Sequence, residues 1–322
     1  MWLVYAIGTF IFWGTADLFY KRGNNENEKY THLKTSIFVG LVMGVTAILT
    51  IIIKGIDYDF RNIFVYMPVS LMYILSMVIG YFGLKYLELS VSSPIQNSSG
   101  AVTCILLIIV LRELPDYLSL IAVGLISIGV FLLGLFEKKK EEAFEKEQNK
   151  KYKIGFIAFL FPIFYCIIDA LGTFFDGLYL DDYATTPLLN VTEETLEDVA
   201  NISYELTFMF IAIILFIFVR LIKKERIEIP RQGDRLLAAI FETLGQLVYV
   251  YALSGNAIIA APVVASYCVF STILAGIFLK EKLTIPQYIS VGLVIAGIVL
   301  LGIVEGIDLS LETETIIPLI FR

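Results

Sequence analysis

Long apolar runs separated by short polar segments set the pattern of this chain. A helix needs roughly 20 mainly apolar residues to cross the hydrocarbon core of a bilayer. Runs approaching that length lie at 2–20, 36–53, 64–87, 92–111, 117–136, 154–175, 203–222, 236–253, 258–279 and 285–304. Strands of a membrane barrel would be alternating segments of about 10 residues. These runs are longer and apolar on every face, so they read as helices, which satisfy their backbone N–H groups internally. Two stretches interrupt the pattern: the charged segment EKKKEEAFEKEQNKKYK (137–153) and an acidic segment at 176–205 without Lys or Arg. The first reads as a cytoplasmic linker and the second as an external loop.

The chain also repeats itself. PIQNSSGAVTCILLIIVLRELPDYLSLIAVGLISIGVFLLG (94–134) aligns without a gap to PVVASYCVFSTILAGIFLKEKLTIPQYISVGLVIAGIVLLG (262–302). Pro94/Pro262, Ser98/Ser266, Glu113/Glu281, Gly124/Gly292, Gly129/Gly297 and Gly134/Gly302 coincide. IFWGTAD (11–17) matches IFYCIID (163–169), and Gly80 and Tyr86 match Gly245 and Tyr251. The expected organisation is a first five-helix repeat (1–136), the linker (137–153) and a second five-helix repeat (154–322). An odd helix count makes the second repeat enter from the opposite side. The predicted fold is thus an all-α membrane protein of ten transmembrane helices in two inverted repeats, an arrangement that recurs in secondary transporters.

Charge then orients the bundle. Twenty of the 24 Lys and Arg residues fall in the odd-numbered loops. The even loops and termini hold only Lys54, Arg61, Arg112 and Arg322. By the positive-inside rule the odd loops are cytoplasmic and both termini extracytoplasmic. The 58% hydrophobic content agrees with a plasma-membrane protein, and the net charge of −7 is an average over this topology. No basic n-region precedes the first run and no small-residue cleavage site follows, so it is expected to stay in the mature chain. No basic patch suggests nucleic acid. Cys104, Cys166, Cys268 and the single His32 form no metal-ligand or disulfide spacing, so no metal and no cofactor is expected. Asn190-Val-Thr and Asn201-Ile-Ser are glycosylation sequons in the acidic segment.

Phe12, Trp13, Gly14 and Lys21 in the first helix resemble the drug/metabolite transporter superfamily, EamA type. So do the Glu-then-Gly endings LRELPDYLSLIAVGLISIGVFLLG and LKEKLTIPQYISVGLVIAGIVLLG. The resemblance implies ten helices around a central cavity and movement of small metabolites by alternating access. Many members have a basic N-terminus, which this chain lacks.

Ionisable residues inside a span are costly and point to function. Asp17, Asp169 and Glu242 are such residues and are the candidate coupling carboxylates. Glu242, Gln246 and Tyr249 fall at i, i+4 and i+7, one stripe of a helix. A stripe this polar should face inward, toward Gln96 and Asn97. Trp13 and Tyr165, which are repeat-equivalent, and Tyr267 are aromatic candidates for caging an organic cation. Packing explains most of the other aromatics. The function class is a secondary transporter of a small polar metabolite, with cationic and zwitterionic substrates both open. The alternative is a non-transporting membrane scaffold or regulatory protein with the same fold. No GxxxxGK[ST], HExxH or GxSxG is present, so neither an ATP site nor an enzyme is expected. The expected partners are the small-molecule substrate and the lipid bilayer, with a homodimer left open.

Overall fold

The structure is a computed structural model. It describes the backbone at residues 1–23, 28–83, 95–148, 156–227, 232–280 and 282–320, with side chains there except at 137–148, 156–159 and 308–320. Among the described residues the chain is helical and contains no strand. The helices are α1 (Trp2–Gly23), α2 (Thr31–Lys54), a short α3 (Asn62–Val65), α4 (Met67–Gly83), α5 (Ser99–Leu111), α6 (Tyr117–Gln148), α7 (Phe156–Leu180), α8 (Leu196–Ile217), α9 (Gly233–Ala265), α10 (Tyr267–Leu274) and α11 (Ile285–Ile320). π-helical turns at Phe218–Ile222 and Ala275–Leu279 extend α8 and α10.

Among the described residues, seven stretches are long and apolar enough to cross a membrane, and Met67–Gly83 and Ile95–Leu111 are shorter apolar helices. One of the seven, Gly233–Leu279, covers 47 residues, more than a single crossing needs. It doubles back. A Cβ on Gly245 would touch Trp13, and one on Gly255 would touch Trp2, so this arm runs antiparallel to α1. Beyond Asn256 the chain returns, and Tyr267 meets Trp13 again with ring centroids 5.7 Å apart. Asn256 is the turn. Its backbone is extended (φ −171°, ψ 83°), and its Oδ1 accepts the Ile259 N–H at 3.2 Å. That bond caps the returning arm as an N-cap side chain does.

The helices pack in a regular set of pairs: α1 with α9, α4 with α7, α2 with α8, α6 with α11, and α5 with the returning arm of α9. Small residues allow close approach, the main source of helix attraction within lipid. Gly129 on α6 lies against Val294 and the Ser290 carbonyl of α11, while Gly297 on α11 lies against Ile126 and the Ala122 carbonyl of α6. Arg112 (φ 59°) ends α5 and Lys280 (φ 58°) ends the α10 extension, both in the left-handed conformation that stops a helix. The outer surface is apolar, with Ile53 78% and Leu221 66% exposed. Apolar side chains standing outward on so many helices are suited to lipid, and the molecule is an integral membrane protein.

Helices reach further into the acidic stretch than hydropathy suggests. α7 continues to Leu180 and α8 begins at Leu196, leaving only 181–195 between them. The reason is that Asp176, Asp198, Asn201 and Glu205 are all buried, so their polarity marks interior positions rather than a solvated loop. Leu188 is buried too, and the Asn62 side chain bonds both backbone groups of Leu189, at 2.8 and 2.9 Å. Likewise α6 stays helical through the charged stretch to Gln148. Residues 149–153, Lys85, Ser92, Ser93, Arg231, Glu281 and Arg322 lie outside the described residues.

Candidate functional site

A cavity opens at the middle of the bundle, walled by α1, α4, α5, α7, α8 and both arms of α9. Its position follows from the packing. α1 crosses α9 with Trp13 lying over Gly245, and α4 crosses α7 with Tyr165 lying over Gly80. Each large ring is accepted because the facing position has no side chain, and both rings border the central void.

The residues expected from the sequence come together here. Trp13 and Asp17 on α1, Gln96 and Asn97 ahead of α5, Tyr165 and Asp169 on α7, Glu242, Gln246 and Tyr249 on α9, and Tyr267 on α10 all line the cavity. Glu242 accepts a hydrogen bond from the Tyr20 hydroxyl at 3.2 Å. Its backbone carbonyl accepts from the Trp13 indole N–H at 3.1 Å. Asp169 accepts from the Ser99 hydroxyl at 2.7 Å and the Ser76 hydroxyl at 3.4 Å. Trp13 also packs on Tyr249, with centroids 4.9 Å apart. Sequence reasoning did not single out Tyr20, Tyr73, Thr173 or Tyr204, which complete the wall. The space open to the centres of water-sized molecules is about 70 Å³, whereas one water needs roughly 10–15 Å³. Several waters or a small ligand fit in this conformation, not a bulky one.

Charge in the cavity is of one sign. Asp17, Asp169 and Glu242 line it, and no Lys, Arg or His does so among the described residues. Aromatic faces and carboxylates together can hold a cation by quadrupole attraction and direct charge pairing. Backbone groups within the helices are already bonded, so the side chains supply the polar contacts.

Both ends of the bundle are tied. At the end carrying 181–195, Lys54 bonds Asp198 at 2.7 Å, Tyr251 donates to Asp198 at 2.8 Å, and Ser254 donates to Glu197 at 2.5 Å. Tyr251 therefore belongs to this outer tie rather than to the cavity. At the opposite end Arg235 donates to Glu28 at 2.6 Å and to Thr31 at 2.5 Å, and also to Gln232. Lys34 donates to the same Glu28 at 2.6 Å. Burial would raise the Glu28 carboxyl, but the bonds from Arg235 and Lys34 outweigh it and hold that group below the ordinary carboxylate value.

Comparison with known proteins adds a family. The model of the EamA-like transporter family matches residues 1–135 and 184–303. An uncharacterized protein of Methanocaldococcus jannaschii, MJ1333.1, is 39% identical over 69 residues. That match takes in 21% of this chain and 50% of the relative, so the chain spans half the length of that curated protein. One solved crystal structure of a protein superposes with a TM-score of 0.63 at 11% identity, over 94% of this chain and 96% of the other. At that identity the likeness is one of fold.

Proposed function

The chain belongs to the EamA-like transporter family, and we propose that it is a secondary transporter moving a small cationic or zwitterionic metabolite by alternating access. The observation that carries this reading is the central cavity lined by Asp17, Asp169 and Glu242 with no basic side chain among the described lining residues. A scaffold with no ligand to bind would fill that space with Leu, Val and Phe. Buried carboxylates are costly unless something positive visits them.

The proposed architecture is ten spans in two inverted repeats, with both termini extracytoplasmic in the plasma membrane. Packing supports the repeat. Adding 168 to Ala122 and Ile126, the partners of Gly297, gives Ser290 and Val294, the partners of Gly129. Trp13 over Gly245 and Tyr165 over Gly80 are likewise exchanged partners. The α1–α9 and α4–α7 pairs interchange under the same operation, and Arg112 and Lys280 end their helices alike. The doubling back at Asn256 and the two shorter apolar helices support the count of ten. The charge bias supports the orientation.

The test is thermal stabilisation of the purified protein across amines, amino acids and nucleosides, since a ligand of the folded state raises stability by mass action. A hit among amines or amino acids that is also taken up or expelled by proteoliposomes supports the proposal. Hits confined to anions, or no flux of any stabilising compound, would overturn it.

A further inference from the structure

Asp176 is a carboxyl that neither the cavity nor the outer tie accounts for. It lies near the end of α7, fully buried. Among the described residues no ion pair includes it. Tyr66, between α3 and α4, and Tyr73 on α4 turn toward it, and their hydroxyls reach its two oxygens, Tyr73 at 3.5 Å. Tyr249 on α9 and Tyr204 on α8 are the other titratable groups that face it. α5 presents the apolar Leu107 beside the neighbouring Gly177. A carboxyl held among apolar helices is costly to bury unless hydroxyls hydrogen-bond to it, as Tyr66 and Tyr73 do here.

The hydroxyls around it form a chain that reaches the cavity. The Tyr73 and Tyr249 hydroxyl oxygens are 2.5 Å apart. The Thr173 hydroxyl accepts from Tyr73 at 2.9 Å and from Tyr249 at 3.3 Å. Tyr73 therefore has one hydrogen and three oxygens within reach, at Thr173, Tyr249 and Asp176. It satisfies only one at a time, so the chain has alternative hydrogen arrangements on the same heavy atoms. Asp169, Thr173 and Asp176 fall at i, i+4 and i+7 on one face of α7, and Asp169 and Thr173 already line the cavity.

We propose that Asp176 is a proton-binding site separate from the cavity carboxylates, filled and emptied through Tyr249 and Tyr73. In the filling direction Tyr249 takes a proton from a hydronium ion in the cavity, leaving water, and passes its own to Tyr73. Tyr73 then passes its own to the Asp176 carboxylate. Each hydroxyl ends with one hydrogen, and the aspartate ends neutral. The proposal rests on the transporter reading only for its use; the site itself does not need a substrate.

The experiment is infrared difference spectroscopy of the full-length protein in liposomes, between acid and alkaline pH and without substrate. Asp176→Asn is expected to remove one protonated-carboxyl band that Asp169→Asn and Glu242→Gln both keep. Tyr73→Phe is expected to keep the band and slow its deuterium exchange several-fold. If Asp176→Asn does not fold, Asp176→Glu is expected to move the same band. A spectrum that no Asp176 variant changes overturns the site, and a band that follows Na⁺ rather than pH assigns it to a metal ion and also overturns it. Exchange unaltered by Tyr73→Phe overturns the route. None of these outcomes bears on the ligand screen, so the two readings fail separately.

Discussion

The Tyr20 hydroxyl donates to the Glu242 carboxylate across 3.2 Å, joining residues 222 positions apart in the chain. This bond fixes the carboxylate on the cavity side of α9 and ties the C-terminal half of α1 to it. Glu242→Gln keeps the shape of the side chain and removes its charge. It is expected to lower transport about tenfold or more, a loss of ~1.4 kcal/mol or above, with a flattened pH dependence. Flux assays in proteoliposomes check this, and an unchanged rate and pH profile would make Glu242 structural. Tyr20→Phe should give a smaller loss of the same kind.

Gly245 is where Trp13 needs room. A Cβ there would overlap the indole Cδ1 of Trp13, a contact that must push the ring away. Gly245→Ala is expected to cost about 1–3 kcal/mol, the usual range for overpacking, and to shift the emission of Trp13. The chain has only two tryptophans, so a Trp2→Phe background isolates the signal. Unaltered emission and melting temperature together would show that Trp13 is not held as described.

The Arg235–Glu28 pair gives a pH prediction. Glu28 is held below the ordinary carboxylate value in the folded protein. Its contribution to stability is therefore present above about pH 4.3, the usual glutamate pKa, and is lost as pH falls through the lower folded value. Glu28→Gln should remove that acid-side component of the melting curve. Arg235→Met, which strands Glu28 beside Lys34 alone, is expected to destabilise by up to about 3 kcal/mol, reduced from a fully buried pair because Glu28 keeps some exposure. Melting temperature against pH measures both.

Most of the site was legible because membranes make polarity informative. Asp17, Asp169 and Glu242 stand out within apolar runs, and the Glu242–Gln246–Tyr249 stripe falls on one face by helical spacing alone. Trp13 and Tyr165 emerged from the repeat. Asp176 did not, since the apolar window closed at 175 and put it in a solvated segment. The signal was present as the i, i+4, i+7 spacing of Asp169, Thr173 and Asp176, which continues the helix by another turn. Tyr20, Tyr73 and Tyr204 were indistinguishable from packing tyrosines, because only tertiary geometry says whose hydroxyl meets a partner. Asn256 illustrates the same limit. Its neighbours separate two apolar runs clearly, but nothing local says that one extended residue completes the reversal.

The sequence reads 176–205 as an external loop, and the helices α7 and α8 shorten that loop to 181–195, which is attached to the bundle through Leu189. Asn62→Ala removes two hydrogen bonds to Leu189 and should cost about 1–3 kcal/mol. Replacing 181–195 by a short linker should lower the melting temperature further while leaving membrane insertion intact. Loss of insertion in the deleted protein, followed by fractionation, would contradict this.

The one-residue turn at Asn256 also fixes the phase of two cavity walls. Glu242, Gln246 and Tyr249 lie on one arm, and Ala261, Val264 and Ala265 on the other. A helix advances about 100° per residue. A single residue inserted after Gly255 would leave the first set in place and swing the second about 100° around its axis, taking Val264 out of the wall and bringing in a neighbour. The cavity's lining is thus indexed by chain length at one point, so an insertion there should exchange ligand preference without touching any lining residue.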